Sequence, residues 1–409
     1  MRIRSVTVFG DIGYPPNRTL LSHLGIFANH ARHTFIQSGY EVQTLRLATP
    51  PFPTWLPACD RAAASAHLAI EAHAEGFEYL SLGPAQPGNH ADYAAIPSIL
   101  GANNHLFATG ALTDGHEISL KAARECAKII VRLSTLEPDG FANLRFAALA
   151  NVPPYAPFFP AAYAQSGAPS FALAIEGADL AMECFAPASS LQSARQSLIE
   201  AIQLHASKIT DIAQKVSAIY GYSFRGIDFT LAPFPNAACS IAKALESLGL
   251  PAFGLSGSLF LSAFLTDTLD QADYLRTGFN GLMLPVLEDD GLAARASEGC
   301  LSLQNLLLNS AVCGTGLDVI PLPGDTSEEQ IYPVLLDIAA LSLRLNKPLT
   351  ARLMPIPGKQ SGERTDFGFE YFANAAVLPI NAQKVTGALS ADQMVVINPK
   401  NTVLFSEPA

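Results

Sequence analysis

Residues 5–48 establish the pattern of the fold and read SVTVFGDIGYPPNRTLLSHLGIFANHARHTFIQSGYEVQTLRLA. This stretch opens with an apolar, β-branched run at Ser5–Phe9, which predicts a strand. Apolar residues then recur at helical spacing over Leu20–Ser38, and Gly39 stands at the place of a carboxyl cap. Alternating apolar and polar residues predict a second strand at Glu41–Ala48. This order predicts two parallel strands joined by a right-handed crossover.

The same rhythm continues along the chain. Further strands are predicted at Phe77–Leu82, Leu144–Ala150, Asp228–Leu231, Gly281–Leu287, Thr350–Ile356, Ala376–Ile380 and Val395–Asn398. Helical patterns separate most of them, and Thr326 with Glu329 predicts a capping box at the start of a late helix. We therefore expect one α/β domain over residues 1–409, built on a parallel sheet.

One segment departs from this rhythm. Between Ser190 and Tyr220 apolar residues recur only at helical spacing, and Gly221 follows the run. The pattern predicts one long helix or two shorter ones. We interpret residues 188–222 as an all-helical insertion within the domain.

The composition argues against several classes of protein. Basic residues number 25 against 36 acidic ones, and the resulting net charge of −11 repels nucleic-acid backbones. No apolar run reaches the roughly 18 residues of a membrane span, and the first residues lack a signal-peptide pattern. Six cysteines without a CxxC pair are typical of reduced thiols in the cytoplasm. We expect a cytoplasmic homo-oligomer with neither nucleic-acid nor membrane partners.

Familiar cofactor motifs are missing from the sequence. There is no GxxxxGK[ST] phosphate loop, and Gly314-Thr315-Gly316 lacks the third glycine of a dinucleotide fingerprint. No nucleotide cofactor is therefore predicted. The cofactor stays unknown, with a divalent cation as the one open candidate.

The segment of residues 309–326 concentrates chemically useful residues. It reads NSAVCGTGLDVIPLPGDT and places Cys313 beside Gly314 and Gly316. Glycine-rich backbone exposes amide groups and lets a ligand approach closely. Cys313 could then be a nucleophile or a radical carrier if its pKa were lowered, and the alternative is a small buried hydrophobic residue in a tight turn.

Carboxylates stand near the ends of several predicted strands. Glu288 follows Gly281–Leu287, Asp228 opens its own strand, and Asp318 follows the cysteine loop. In a βα barrel the carboxyl ends of the strands form the active face, where such groups bind cations or transfer protons. The alternative is that acidic residues in these loops cap helices.

Three basic residues stand out because the chain has few. Arg145 and Arg352 lie inside apolar strand patterns, and Lys359 follows in the loop Pro357-Gly358-Lys359. A buried charge needs a partner. These residues predict either contacts to a substrate anion or ion pairs with neighbouring carboxylates.

Four runs carry a resemblance to a known family: NLRFAALANVPPYAPFFPAAY at 143–163, IDFTLAPFP at 227–235, SAVCGTGLDVIPLPGDT at 310–326 and RLMPIPGK at 352–359. They resemble the signature stretches of the uncharacterised family called domain of unknown function 711. The resemblance implies a pyruvate formate-lyase-like α/β barrel of about ten strands with an all-α insertion, for which residues 188–222 are the candidate. In catalytic relatives of that fold a cysteine lies on a loop inside the barrel, and Cys313 has a comparable place.

Those relatives also carry a glycyl radical near the carboxyl terminus. The nearest match here, Arg364-Thr365-Asp366-Phe367-Gly368-Phe369, has an extra residue and different neighbours. Glycyl-radical chemistry is therefore not expected.

Three functional hypotheses follow. The first is an enzyme on a small anionic or polar metabolite, with Cys313, Asp318 and Glu288 as catalytic residues. Its ligand contacts are predicted at Arg352, Lys359, Asp228, Gly314, Gly316 and Arg145. The second is a non-catalytic metabolite-binding regulatory protein with the same pocket, and the third is a structural protein.

Overall fold

A computed structural model describes residues 1–400 of the chain. Its strands are β1 (Arg2–Phe9), β2 (Val42–Ala48), β3 (Tyr79–Ala85), β4 (Leu106–Ala111), β5 (Thr113–Asp114), β6 (Glu117–Ser119), β7 (Phe146–Ala150), β8 (Ser170–Glu176), β9 (Ser223–Ala232), β10 (Gly316–Pro323), β11 (Leu349–Ile356) and β12 (Met394–Val396). Its helices are α1 (Arg18–Gln37), α2 (Arg61–Ala74), α3 (His90–Ala102), α4 (Leu120–Ser134), α5 (Ala178–Phe185), α6 (Leu191–Tyr220), α7 (Ile241–Glu246), α8 (Ser258–Gln271), α9 (Asp290–Ser297), α10 (Leu303–Asn309) and α11 (Glu328–Leu345).

A nine-stranded mixed sheet is the centre of the molecule, in the order β10-β11-β7-β4-β3-β2-β1-β8-β9. The five strands from β7 to β1 are parallel, as the repeated strand–helix–strand pattern predicts. At each side two further strands are parallel to each other but antiparallel to that centre. The α/β class is thus confirmed, and the expectation of a wholly parallel sheet is wrong.

The two faces of the sheet are covered differently. Alternate strand residues such as Leu45 and Leu47 join one large apolar cluster with the helices. The opposite face, called here the inner face, carries smaller clusters that include Phe107 and Phe159. Residues 151–164, the inner loop, cross this face and are tied to it where Ser81 Oγ donates a hydrogen bond to the Ala162 carbonyl at 2.7 Å.

The sheet is not closed by regular pairing. Within residues 1–400 no ladder joins the edge strands β9 and β10, although two isolated bridges, Ile227 with Arg276 and Pro285 with Asp318, lie between them. The predicted strands Gly281–Leu287 and Ala376–Ile380 form such single bridges and no ladder. The closed, pyruvate formate-lyase-like barrel therefore stays a prediction.

The long helical segment forms one helix, α6, with a Ser190 capping box and a left-handed Gly221 at its end. It connects the parallel strands β8 and β9 and packs against α1, α5 and α8. Because β8 and β9 are parallel, the chain must run back to the starting end of the sheet between them, and α6 is the long helix of this connection. No helix of the described residues is long and apolar enough to cross a membrane.

Candidate functional site

Strand alternation directs two arginines toward the inner face. Arg46 stands between Leu45 and Leu47, and Arg352 between Ala351 and Leu353, all four neighbours belonging to the large helix-side cluster. Since successive side chains of a strand point to opposite faces, both guanidinium groups lie on the side away from the helices.

Arg352 lies at the centre of a buried charge network. Its Nε donates to Asp318 Oδ1 at 2.6 Å, and its Nη2 donates to Glu288 Oε1 at 3.1 Å. The second oxygen of Glu288 accepts a hydrogen bond from Arg4 of β1. An irregular register between β10 and β11, with Val319 at a positive φ of 40°, accompanies the pairing of Asp318 with Arg352. Three sequence-predicted residues, Glu288, Asp318 and Arg352, are thus brought together.

Arg46 belongs to the same site but has no carboxylate partner. Its Nε donates to Thr44 Oγ1 at 2.9 Å, and its guanidinium lies 5.1 Å from the Phe159 ring centroid and 5.8 Å from that of Tyr79. It is 9% exposed, and none of the ion pairs formed within residues 1–400 involves it. Burial and the neighbouring Arg4 charge lower the pKa of Arg46 to about 10.

These groups surround a cavity of about 70 Å³, called here the arginine pocket. Its charged lining is Arg4, Arg46, Arg352 and Glu288. Its remaining walls are mostly aromatic and apolar: Tyr79, Phe107, Leu144, Phe159, Phe369 and Tyr371, with Gln43 and Thr44 at one side. Arg4 Nη1 is buried there without a hydrogen-bond partner in the described residues. A polar donor without a partner in such a cavity is suited to an anionic ligand.

The pocket lies near the amino ends of the parallel strands. Tyr79 begins β3, Phe107 is the second residue of β4, and Leu144 precedes β7. This differs from the carboxyl-end placement expected for a βα barrel. The difference arises because β10 and β11, which carry Asp318 and Arg352, run antiparallel to the central strands.

The two carboxyl groups are shifted in opposite directions. Burial opposes ionisation of Glu288, but the charges of Arg4 and Arg352 outweigh it and hold its pKa below the ordinary value. Burial raises the pKa of Asp318, and repulsion from Glu288 adds to this despite the favourable Arg352 charge. Neighbouring carboxyl groups with separated pKa values are the arrangement found in acid/base pairs.

Cys313 lies apart from the arginine pocket. Its side chain is 1% exposed, and its Sγ accepts a hydrogen bond from the Gly316 amide at 3.4 Å. The loop is held by Lys347, whose Nζ donates to the carbonyls of Ser310 and Cys313. Because Gly316 pairs with Thr350, and Thr350 with Leu149 near the end of β7, Cys313 is at the opposite end of the sheet from the pocket.

The two glycines of the cysteine loop serve close backbone packing. A Cβ at Gly314 would lie 2.7 Å from the Gly281 Cα, and one at Gly316 would lie 2.4 Å from the Thr350 carbonyl oxygen. Gly316 also has a φ of +100°. Neither glycine lines the arginine pocket.

Asp228, Arg145 and Lys359 are also placed outside the pocket. Asp228 accepts hydrogen bonds from the amides of Phe279 at 2.9 Å and Asn280 at 3.0 Å, and so fixes a turn. Burial raises the pKa of Asp228. Arg145 pairs with Glu137 at 2.7 Å and donates to the Leu100 and Asn103 carbonyls. Lys359 is half-buried, and its carbonyl accepts from the Gly324 amide.

Sequence reasoning missed Arg4 and Arg46. The signal was present, since Arg46 interrupts the apolar run Leu45–Leu47 in the way that Arg352 interrupts its own strand. Within residues 1–400 no group of three or more histidine, cysteine, aspartate or glutamate side chains is placed to hold a metal ion.

Comparison with known proteins agrees with the four signature runs. A family model described as "Uncharacterised ACR (DUF711)" matches residues 1–375. A UPF0210 protein of Pyrobaculum aerophilum is 35% identical over 272 residues, which are 64% of this chain and 59% of that protein. One from Pyrobaculum islandicum is 31% identical over 357 residues, 81% of this chain and 78% of that protein. One from Acetivibrio thermocellus is 32% identical over 267 residues, 61% and 58% of the two chains.

Proposed function

Since the chain belongs to the uncharacterised DUF711 family, whose relatives are named only as UPF0210 proteins, we propose that it binds a small anionic metabolite in the arginine pocket. The proposal places the ligand beside Glu288 and Arg46 and not beside Cys313, because Cys313 does not line that cavity. Two functions are compatible with such binding: an enzyme that converts the metabolite, and a regulatory protein that binds it without converting it.

The observation that carries the proposal is a buried arginine without an anionic partner. Arg46 cannot shed its charge near neutral pH, since even its lowered pKa is about 10. An uncompensated buried charge is costly unless a ligand or a counter-charge offsets it. Stacking on Phe159 and Tyr79 offsets part of this cost and holds the guanidinium plane in place.

The balance of charge in the network supports an anion as the missing partner. Four arginines (Arg2, Arg4, Arg46 and Arg352) face three buried carboxyl groups (Glu176, Glu288 and Asp318). Burial and repulsion from Glu288 also oppose a negative charge on Asp318, whose pKa is raised. An anionic group of the ligand would restore neutrality and satisfy the buried Arg4 Nη1.

We also propose that the sheet closes into the barrel that the family resemblance implies. Segment 276–287 would act as the missing strand, because its bridges reach β9 through Arg276 and β10 through Pro285. The inner face would then be the barrel interior, with the inner loop filling much of it. A closed interior excludes water from the arginine pocket and strengthens its ion pairs.

Two functions use this pocket. An enzyme would use Glu288, the carboxyl group that lines the pocket, to exchange a proton with the ligand, while Asp318, which does not line it, holds Arg352 in place. A non-catalytic regulatory protein needs only the binding. The two functions are distinguished by incubating the protein with an anion that stabilises it and recording nuclear magnetic resonance spectra of that anion. An enzyme converts the anion to a product, whereas a regulatory protein leaves it unchanged.

The binding proposal is tested by thermal unfolding against acetate, pyruvate, phosphate and sulfate, each at the ionic strength of a sodium chloride control. An anion at one hundred times its Kd should add about 2.7 kcal/mol of stability. Arg46→Met should abolish that gain, and Arg46→Lys should retain part of it. Arg18→Met, at an exposed position outside the pocket, is the matched control. Equal gains in the wild-type protein and Arg46→Met, or no gain with any anion, would overturn the proposal.

A further inference from the structure

A second cavity, of about 290 Å³, opens at the carboxyl ends of the parallel strands β3, β4 and β7. We call it the carboxyl-end cleft, and its polar lining consists of Gln86, Thr113, Asp114, Asn151 and Tyr163. It is separate from the arginine pocket, because Tyr79 at the start of β3 lines the pocket while Pro84 near the end of β3 lines the cleft. In α/β sheets the carboxyl ends of parallel strands are the usual place for ligands.

The cleft presents polar side chains that the protein itself does not use. Within residues 1–400, the Asp114 carboxylate and the side-chain amides of Gln86 and Asn151 form no hydrogen bond or ion pair. Two neighbouring hydroxyl groups are already engaged. Tyr163 donates to the Val152 carbonyl at 2.8 Å, and Thr113 Oγ1 accepts from the Asn151 amide at 2.9 Å.

The backbone at Asn151 is held in an unusual shape at the rim of the cleft. Its φ is +52°, a left-handed conformation in which asparagine is among the few tolerated residues. The bond from the Asn151 amide to Thr113 Oγ1 holds this turn at the end of β7. Asn151 is thereby fixed among the residues that line the cleft.

The charge of the cleft is opposite to that of the arginine pocket. Its lining includes one carboxylate, Asp114, and no lysine, arginine or histidine. The two side-chain amides can present either their oxygens or their N–H groups, so the sign of the site is set by the Asp114 carboxylate, which favours a ligand that carries positive charge and donates hydrogen bonds. A net charge of −11 on the whole chain adds a long-range attraction for cations.

We propose that the carboxyl-end cleft is a second ligand site, for a small molecule with a primary ammonium group. The ammonium carries three donors and one positive charge, which match the Asp114 carboxylate and the amide oxygens of Gln86 and Asn151. This site does not depend on the anion site, since the two cavities share no lining residue.

The test is calorimetric titration of the full chain with ethanolamine and with putrescine, and with glycerol as a neutral polyhydroxy probe. Both amines should bind the wild-type protein, and Asp114→Asn should weaken them about tenfold, the usual worth of a hydrogen bond to a charged group. Asn151→Gly keeps the left-handed backbone and should also weaken them.

Two controls separate this site from the anion site and from the general surface charge. Asp211→Asn removes an exposed carboxylate on α6 and should leave amine binding unchanged. Arg46→Met should also leave it unchanged, whether or not the arginine pocket binds anions. The proposal is overturned if neither amine binds, if Asp114→Asn binds them as tightly as wild type, or if glycerol alone binds.

Discussion

At the scale of single residues, the main feature of the inner face is its group of buried, charged side chains. Glu288 is the most constrained of them, because its two oxygens are held by Arg4 and Arg352. Removing one member of such a buried pair leaves the others without compensation, and this usually costs more than the pair contributes. The network therefore serves the stability of the inner face as well as the proposed anion site.

Glu288→Gln should lower the free energy of unfolding by about 3–5 kcal/mol at neutral pH, since it leaves two buried arginines without their shared carboxylate. Urea unfolding measures the change. Glu298→Gln is the matched control, because Glu298 is half exposed and pairs with Arg295 on the surface. That control should change the free energy of unfolding by less than about 1 kcal/mol. A loss of less than about 1 kcal/mol in Glu288→Gln would contradict the conclusion that Glu288 compensates two buried arginines.

The pKa of Glu288 predicts the pH dependence of this loss. Its folded-state pKa is lowered, so its contribution is fully present above the unfolded value of about 4.3 and is lost as the pH falls through the folded value. The stability difference between wild type and Glu288→Gln should therefore shrink as the pH falls below about 4. Unfolding measured from pH 7 downward checks this, and a difference that grows with acidity would refute the lowered pKa.

At the scale of elements, short-range signals located most helices and strands but not their partners. The first strand, helix and strand were predicted to within three residues of their ends, and Asn17 caps α1 by accepting a hydrogen bond from the Leu20 amide. The capping box of α11 lies one residue later than predicted, at Ser327 and Gln330. Cap positions depend on which turn first packs against the sheet, and local composition does not specify that.

The cysteine loop is an element whose glycines are needed for packing. Gly314→Ala should destabilise the protein by about 1–3 kcal/mol, because the new methyl group meets the backbone of Gly281, which has no side chain to move aside. Gly368→Ala is the control, since that position has open space around it and no positive φ. Chemical denaturation compares the free energies of unfolding of the two variants. Equal losses would show that the backbone at Gly281 can move away from the new methyl group.

At the scale of the whole molecule, the central question is whether the nine-stranded sheet is closed. If segment 276–287 closes the sheet, three backbone hydrogen bonds become buried. They are donated by the amides of Ile227, Thr277 and Val286 to the carbonyls of Leu275, Ile227 and Asp318. Amides in a closed sheet open only with large parts of the fold and exchange slowly.

Hydrogen exchange should therefore protect these three amides as strongly as amides in β1 and β2. The amide of Glu363, which bonds only to Gln360 in an exposed turn, supplies the fast reference. Exchange of Thr277 and Val286 at the rate of Glu363 would mean that the sheet is open and that the inner face is reached from that side.

The amino-acid sequence was enough to predict the α/β class, the first crossover, the helical character of residues 188–222 and the family, but it left open whether that segment forms one helix or two. Each depends on local periodicity, on a cap or on a run of characteristic residues, and these act over a few turns of chain. It also marked Glu288, Asp318 and Arg352, because charged residues next to apolar runs stand out in a chain with few charges. Tertiary packing brings these three side chains together, adds Arg4 and Arg46 to them, and places Cys313 at the other end of the sheet. Those outcomes depend on which strands run antiparallel and on the register between β10 and β11. Such contacts join residues from 34 to 284 positions apart, and local sequence patterns do not specify them.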